Sequence, residues 1–224
     1  MRIVCFGDSL TWGGYGGSYV EELRRLQPTH TWINAGVGGD TVLNLLARLD
    51  DDVLAHDPDG VFVMIGGNDA ISYCYPATRP YYRKSKDIPD GHVTPVQYET
   101  AYRDLLSRLH AAHVVTWVGL SPMEYDAQIV RVLRDYNNRA AHAARTYKTP
   151  TLDLLARFAL PSLPQRPPLS LAAINLVGKR LEQGWDDYET QRVREGFTFT
   201  FDGLHPTPEA ARQMGRQIAA FILP

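Results

Sequence analysis

Near the end of the chain runs FTFTFDGLHPTPEAARQM, which sets Asp202 and His205 three residues apart and follows them with Pro206. Near its start, GDSLTWGG puts Ser9 in a short polar turn behind an apolar run. A serine hydroxyl is a weak nucleophile and needs a base within hydrogen-bond reach. His205 suits that task because an imidazole titrates near neutral pH. The imidazole must in turn be held in one tautomer and stabilised when charged, which a carboxylate does. Asp202, about one turn earlier, can reach it through local geometry alone. Pro206 biases His205 away from helical dihedrals, so that the histidine stays on the loop.

If Ser9 attacks a carbonyl, the tetrahedral intermediate carries an oxyanion that needs donors already aimed at it. Three loops offer one donor each: the backbone N–H of Ser9, the backbone N–H of Gly39 in NAGVGGDT (Asn34–Thr41), and the side-chain amide of Asn68 in GGND (Gly66–Asp69). At Gly39 a glycine allows close approach of the backbone to a substrate. Asp8 and Asp69 read as loop-bracing acids, with Asp8 also a candidate substrate contact. Asp40 reads as the N-cap of a following helix.

These blocks must be brought together by the elements between them. Strands are expected at Arg2–Phe6, Thr31–Asn34, Gly60–Ile65, Val114–Gly119 and Thr151–Leu154; the first, third and fourth are apolar almost throughout, as strands covered on both faces should be. Helical patterns fall between them near Tyr19–Leu26, Thr41–Leu49, Pro95–Ala112 and Ala127–Tyr147, with a last one from Thr207 to Phe221. Repeated strand–helix units imply right-handed crossovers and a doubly wound parallel sheet. The fold class is α/β, a three-layer α/β/α sandwich with a five-stranded, flavodoxin-like sheet in the order 2-1-3-4-5. Such sheets bind ligands at the carboxyl ends of their strands, which is where all four polar blocks lie.

The 224 residues read as one domain, 1–224, with two insertions. The first, at about 71–94, is rich in Tyr, Pro and basic residues; the second, at about 157–197, opens on PSLPQRPP and reads as helical from about Leu169 to Glu195. Insertions of that length serve as lids, binding loops or contacts between copies of a chain. The aromatics Tyr73, Tyr75, Tyr81 and Tyr82 of the first suit a platform for a sugar, a cover for the sheet edge or a contact between subunits, with Tyr73 and Tyr75 the candidates for substrate contact. A net charge of −2 gives no reason to expect a nucleic-acid groove. No apolar run reaches the ~18 residues of a membrane span, and the N-terminus does not read as a secretory signal. Cys5 and Cys74 suit a reduced, cytoplasmic setting without a disulfide. His110 and His113 lack a third ligand, so no metal is expected, and no cofactor motif appears: the sequence contains no Gly-x-Ser-x-Gly, Walker loop, dinucleotide fingerprint or His-Glu-x-x-His.

Taken together, GDSL, GVGGDT, GGND and DGLHP resemble the GDSL, or SGNH, hydrolase family of esterases and lipases, in the expected order from Gly7 to Pro206. Its four naming residues correspond here to Ser9, Gly39, Asn68 and His205. The resemblance implies a serine esterase working through Ser9, His205 and Asp202 and a covalent acyl-enzyme, and leaves acetylated sugars, short-chain lipids, aryl esters and thioesters open as substrates. The sequence has no long, strongly hydrophobic stretch suited to a lipid surface, which favours a small soluble short-chain or acetyl ester, with an acetylated carbohydrate preferred. The same apparatus passing its acyl group to an alcohol would be an acyltransferase. The rival from another class is a non-catalytic flavodoxin-like module binding a phosphate, which would need backbone nests or basic residues at the strand ends.

Overall fold

In the computed structural model, which describes residues 1–160, 163 and 165–222, five parallel strands run in the order β2-β1-β3-β4-β5. They are β1 (Arg2–Gly7), β2 (Thr31–Gly36), β3 (Gly60–Met64), β4 (Val115–Leu120) and β5 (Thr151–Asp153). The order reverses beside β1, which pairs with β2 on one side and β3 on the other. The register there is the feature that matters for chemistry: Gly7 lies opposite Gly36 across one seam and opposite Met64 across the other. Three chain segments therefore leave the sheet at the same height, carrying Ser9, Gly39 and Asn68.

Alternate residues of the strands feed two separate cores. Val4, Phe6, Val61 and Val63 point to a face covered by the helices Val42–Ala47, Pro95–Ala111 and Ala127–Thr146. Ile3, Cys5, Phe62 and Met64 point to the other, covered by Tyr19–Leu26 and Pro208–Ile222. Near-complete burial of both faces is why β1 and β3 are apolar in unbroken runs. The long helices start where capping chemistry dictates. Thr94 accepts from Gln97 N–H in a capping box with Pro95 in the first turn, and Asp126 accepts from Ile129 N–H.

Three details differ from the sequence-based expectations. The N-cap of Val42–Ala47 is Thr41, whose N–H donates to Asn44 Oδ1 at 3.0 Å. Asp40 is instead held by Arg48 Nε and Lys86 Nζ, both at 2.8 Å, while the buried N–H of Val42 donates to Asp69. The GGND block is the start of a helix, Gly67–Cys74, so Asn68 stands in its first turn. The second insertion is two helices, Leu171–Glu182 and Tyr188–Glu195, separated at Gly184, whose φ is +76°. Pro161, Ser162 and Pro164 of its proline-rich opening lie outside the described residues. Among the described residues no helix is long and apolar enough to cross a membrane.

Candidate active site

Ser9 opens the four-residue helix Ser9–Trp12 directly beyond β1. Asp8 caps it, accepting from Leu10 N–H at 3.0 Å, and Ser9 N–H is one of the first-turn amides that no helical carbonyl can satisfy. The helix sits hard against the end of β2: a Cβ on Gly36 would come within 2.1 Å of Trp12 N. Glycine there is what lets the serine rest on the strand ends.

The serine hydroxyl meets the far end of the chain. Ser9 Oγ lies 3.0 Å from His205 Nε2, and His205 Nδ1 lies 2.7 Å from Asp202 Oδ2. The second oxygen of Asp202 accepts from the backbone N–H of His205 at 2.7 Å and of Leu204 at 2.9 Å. One carboxylate thus shapes the turn with one oxygen and orients the ring with the other. An ionised carboxylate can only accept, so Nδ1 carries the proton and Nε2 presents its lone pair to the serine. The ring is confined between Tyr15, with centroids 4.9 Å apart, and Phe201, at 6.1 Å. Burial alone would lower the His205 pKa. The charge and hydrogen bond of Asp202, helped by the charge of Asp8, outweigh it and raise the pKa above the ordinary imidazole value.

Asn68 is oriented from behind. Tyr82 Oη donates to its Oδ1 at 2.8 Å, which turns the NH₂ toward Asp8, at 3.4 Å from Oδ2. Gly39 has φ of +81°, and a Cβ there would fall 2.1 Å from Tyr81 Oη. The dihedral strains any side chain at this position, and a Cβ would have to push the Tyr81 hydroxyl aside. The acids around these loops brace them. Burial pushes Asp8 up to about 6 and Asp69 up to about 8, and Asp69 accepts from Val42 N–H at 3.1 Å. Arg48 donates to Gly7 O and Ala35 O, each at 3.0 Å, tying the ends of β1 and β2 to Asp40.

Ser9, His205, Gly39 and Asn68 open together onto a cavity of about 690 Å³. Its aromatic walls are Trp12, Tyr15, Tyr81 and Tyr82, and Asn175, Lys179 and Glu182 of the helix Leu171–Glu182 reach it from the second insertion. Tyr73 and Tyr75 do not line it. Tyr75 is buried, its hydroxyl donating to Asp126 Oδ2 at 2.7 Å, and Tyr73 packs beside His92 and Tyr136. Asp8 does line it. Trp12 and Tyr15 were legible in principle, since they share the glycine-rich block with Ser9. Nothing in the sequence singled out Glu124, which grips the segment before Asp202 through Thr198, Phe199 and Thr200. Among the described residues no three His, Cys, Asp or Glu side chains gather as a metal-binding group.

The profile of the GDSL-like Lipase/Acylhydrolase family matches residues 5–213. An acetylxylan esterase of Geobacillus stearothermophilus is 38% identical over 77 residues, a stretch covering 33% of this chain and 30% of that protein. Among solved structures, the acetyl xylan esterase AlAXEase superposes with a TM-score of 0.68 at 17% identity, covering 100% of both chains. A lipase/acylhydrolase from Enterococcus faecalis superposes with a TM-score of 0.65 at 20% identity, covering 99% of this chain and 94% of that one. At those identities the superpositions speak for the shared three-layer fold.

Proposed function

We propose how a chain that belongs to the GDSL-like Lipase/Acylhydrolase family works as a carboxylic ester hydrolase: by a serine nucleophile and an acyl-enzyme, on short acyl esters. The observation that carries the proposal is the unbroken hydrogen-bond chain Ser9–His205–Asp202 opening onto the cavity that Asn68 also lines. Ser9 Oγ attacks the ester carbonyl carbon while His205 Nε2 takes the hydroxyl proton. The carbonyl π pair moves onto oxygen, where the N–H groups of Ser9 and Gly39 and the amide of Asn68 receive it. The bond to the alcohol oxygen then breaks, and His205 returns the proton to that oxygen. A water repeats the sequence on the acyl-enzyme: His205 takes its proton, the acid leaves, and Ser9 regains its hydrogen. Asp202 holds the ring and balances its positive charge in both halves.

Two tests of this scheme arise from the geometry. Asn68→Ala removes the donor that Tyr82 aims, and should lower kcat by about 10²–10³-fold with little change in KM. An equal rate in the variant, under conditions where chemistry is rate-limiting, would remove Asn68 from the oxyanion site. For pH, the base works only when neutral, so activity should rise with pH as His205 loses its proton. Because Asp202 raises the His205 pKa, the midpoint of kcat/KM should lie above the ordinary value of about 6.5. A profile that is flat, or centred below that value, would argue against His205 as base.

For the substrate, the mixed lining favours a compact acyl group on a polar alcohol. The exposed ring of Trp12 and those of Tyr15 and Tyr81 offer flat apolar faces, and Asn175, Lys179 and Glu182 offer hydrogen bonds above them. That pairing fits a sugar ring, which has an apolar face and a polar rim. Relatives named as acetylxylan esterases support the same reading. A screen of acetylated xylo-oligosaccharides against nitrophenyl esters of increasing chain length tests it. The expected order is acetyl esters first, with kcat/KM falling as the acyl chain grows. Rising kcat/KM toward long chains would overturn it.

A further inference from the structure

We infer that Glu124 is the positioning residue that sets His205 at hydrogen-bonding distance from Ser9. The inference rests on the reading of His205 as the base for Ser9. Glu124 follows β4, is 2% exposed, and forms no ion pair among the described residues. Its carboxylate is instead filled by four neutral donors from one short segment. Oε2 accepts from Thr198 N–H at 2.8 Å. Oε1 accepts from Phe199 N–H at 2.7 Å, from Thr200 N–H at 2.7 Å and from Thr200 Oγ1 at 2.8 Å. A carboxylate buried without a cation is costly to desolvate. That cost is met here only because every donor is in place, so Glu124 holds the segment as a unit.

The segment it holds is the stem of the loop that bears the base. Phe201 N–H donates to His205 O at 3.1 Å and Thr207 N–H to Phe199 O at 3.0 Å, closing the loop on itself. Among the described residues the stem's β-pairing is the isolated bridge Thr200–Pro206, so no strand of the sheet fixes it by hydrogen bonds. Two further bonds link it to Glu124. Thr200 Oγ1, while donating to the carboxylate, accepts from Gly203 N–H at 3.1 Å, and Glu124 N–H donates to Gly203 O at 3.0 Å. Gly203 stands between Asp202 and His205. A single residue on the loop after β4 therefore anchors both the stem and the tip of the turn. Glu124 is not part of the cavity lining, so its loss should reach the substrate only through the turn that it holds.

The test is Glu124→Gln, assayed on a nitrophenyl acetate well below the variant's melting midpoint. A glutamine offers one acceptor oxygen, and its NH₂ would face a backbone N–H that also donates. A displacement of the base by a fraction of an ångström to an ångström should cost about 10–100-fold in kcat, with KM within about two-fold of the parent. A pair at Thr200 gives an independent reading. Thr200→Ser keeps the hydroxyl and should stay near the parent rate, while Thr200→Val, of the same shape without the hydroxyl, should lose about ten-fold in kcat. A folded Glu124→Gln at the parent kcat overturns the inference, as does a loss confined to KM. Failure of both Glu124→Gln and Thr200→Val to fold also overturns it, by making Glu124 a folding determinant instead. Ser9→Ala, run in parallel, separates the two levels. If Ser9→Ala keeps the parent rate, the base assignment falls and this inference with it. If Ser9→Ala is inactive and Glu124→Gln is not impaired, only the positioning role falls.

Discussion

Ser9→Ala is expected to lower kcat on short-chain nitrophenyl esters by on the order of 10⁴–10⁶-fold, while the melting midpoint stays close to that of the parent. The size of the effect follows from the chemistry. Without Oγ no acyl-enzyme forms, and what remains is transition-state binding by Asn68 and the amides, acting on direct attack by water. The fold should be indifferent, because Ser9 Oγ is hydrogen-bonded to His205 Nε2, and that nitrogen sits at the edge of a cavity where water can replace the hydroxyl. The helix Ser9–Trp12 keeps its cap, which belongs to Asp8. Turnover by the purified variant at a tenth of the parent rate or more would place the nucleophile elsewhere.

Asp202→Asn should come next in size, at about 10⁴-fold in kcat, and its mechanism can be read from the two oxygens of the carboxylate. One accepts from the backbone N–H groups of Leu204 and His205, and the other faces His205 Nδ1. An asparagine in this turn will keep its carbonyl oxygen on the two backbone donors, which leaves its NH₂ toward the ring. The ring must then accept at Nδ1 and carry its proton at Nε2, aimed at Ser9, so the base is lost although the turn is preserved. The same substitution removes the charge that raises the His205 pKa against burial. Residual activity should therefore titrate with a lower midpoint than the parent. Circular dichroism and thermal unfolding near the parent, together with the collapse in kcat, distinguish this from misfolding. A variant with more than a tenth of the parent kcat would contradict the assigned role of Asp202.

How far the sequence could be read depended on whether a feature is set locally. Alternating apolar runs and helical patterns imply a doubly wound parallel sheet, five strands suggest the order 2-1-3-4-5, and the sheet has that order. The Asp202–His205 turn is equally local, since three residues suffice to bring a carboxylate to an imidazole. The N-cap before Val42 was misassigned to Asp40 because its true partners, Arg48 and Lys86, come from 8 and 46 residues further along. Tyr75 stood in an aromatic, basic stretch that suggested a surface platform, yet its ring is spent inside the core on Asp126. Tyr81 and Tyr82, from the same stretch, are the two that reach the cavity. Period and composition do not separate the two pairs; only the turn of the helix Arg79–Ser85 onto Gly39 and Asn68 does. Glu124 was illegible for the same reason in stronger form: an acid in SPMEYD, two residues before Asp126, binds a segment 74 to 76 residues away.

The Asp8 and Asp69 carboxyls show how the loops around Ser9 are stiffened at some energetic cost. Both are buried, Asp8 at the cavity wall and Asp69 behind it, and burial raises them to about 6 and about 8. They hold backbone at the starts of two helices, Ser9–Trp12 and Val42–Ala47. In the proposed mechanism these bonds serve to hold the hydroxyl, the amide and the imidazole in place before substrate arrives, which is what electrostatic stabilisation of an oxyanion requires.

The most direct measurement is reaction of the native protein with an aryl-leaving organophosphonate, followed by intact mass and peptide mapping. The result expected is one adduct per chain, on the peptide containing Ser9, growing in proportion to the activity lost. Full esterase activity in protein carrying that adduct, or complete inactivation with the adduct on another residue, would contradict the claim that the hydroxyl beside His205 is the group that takes the acyl chain.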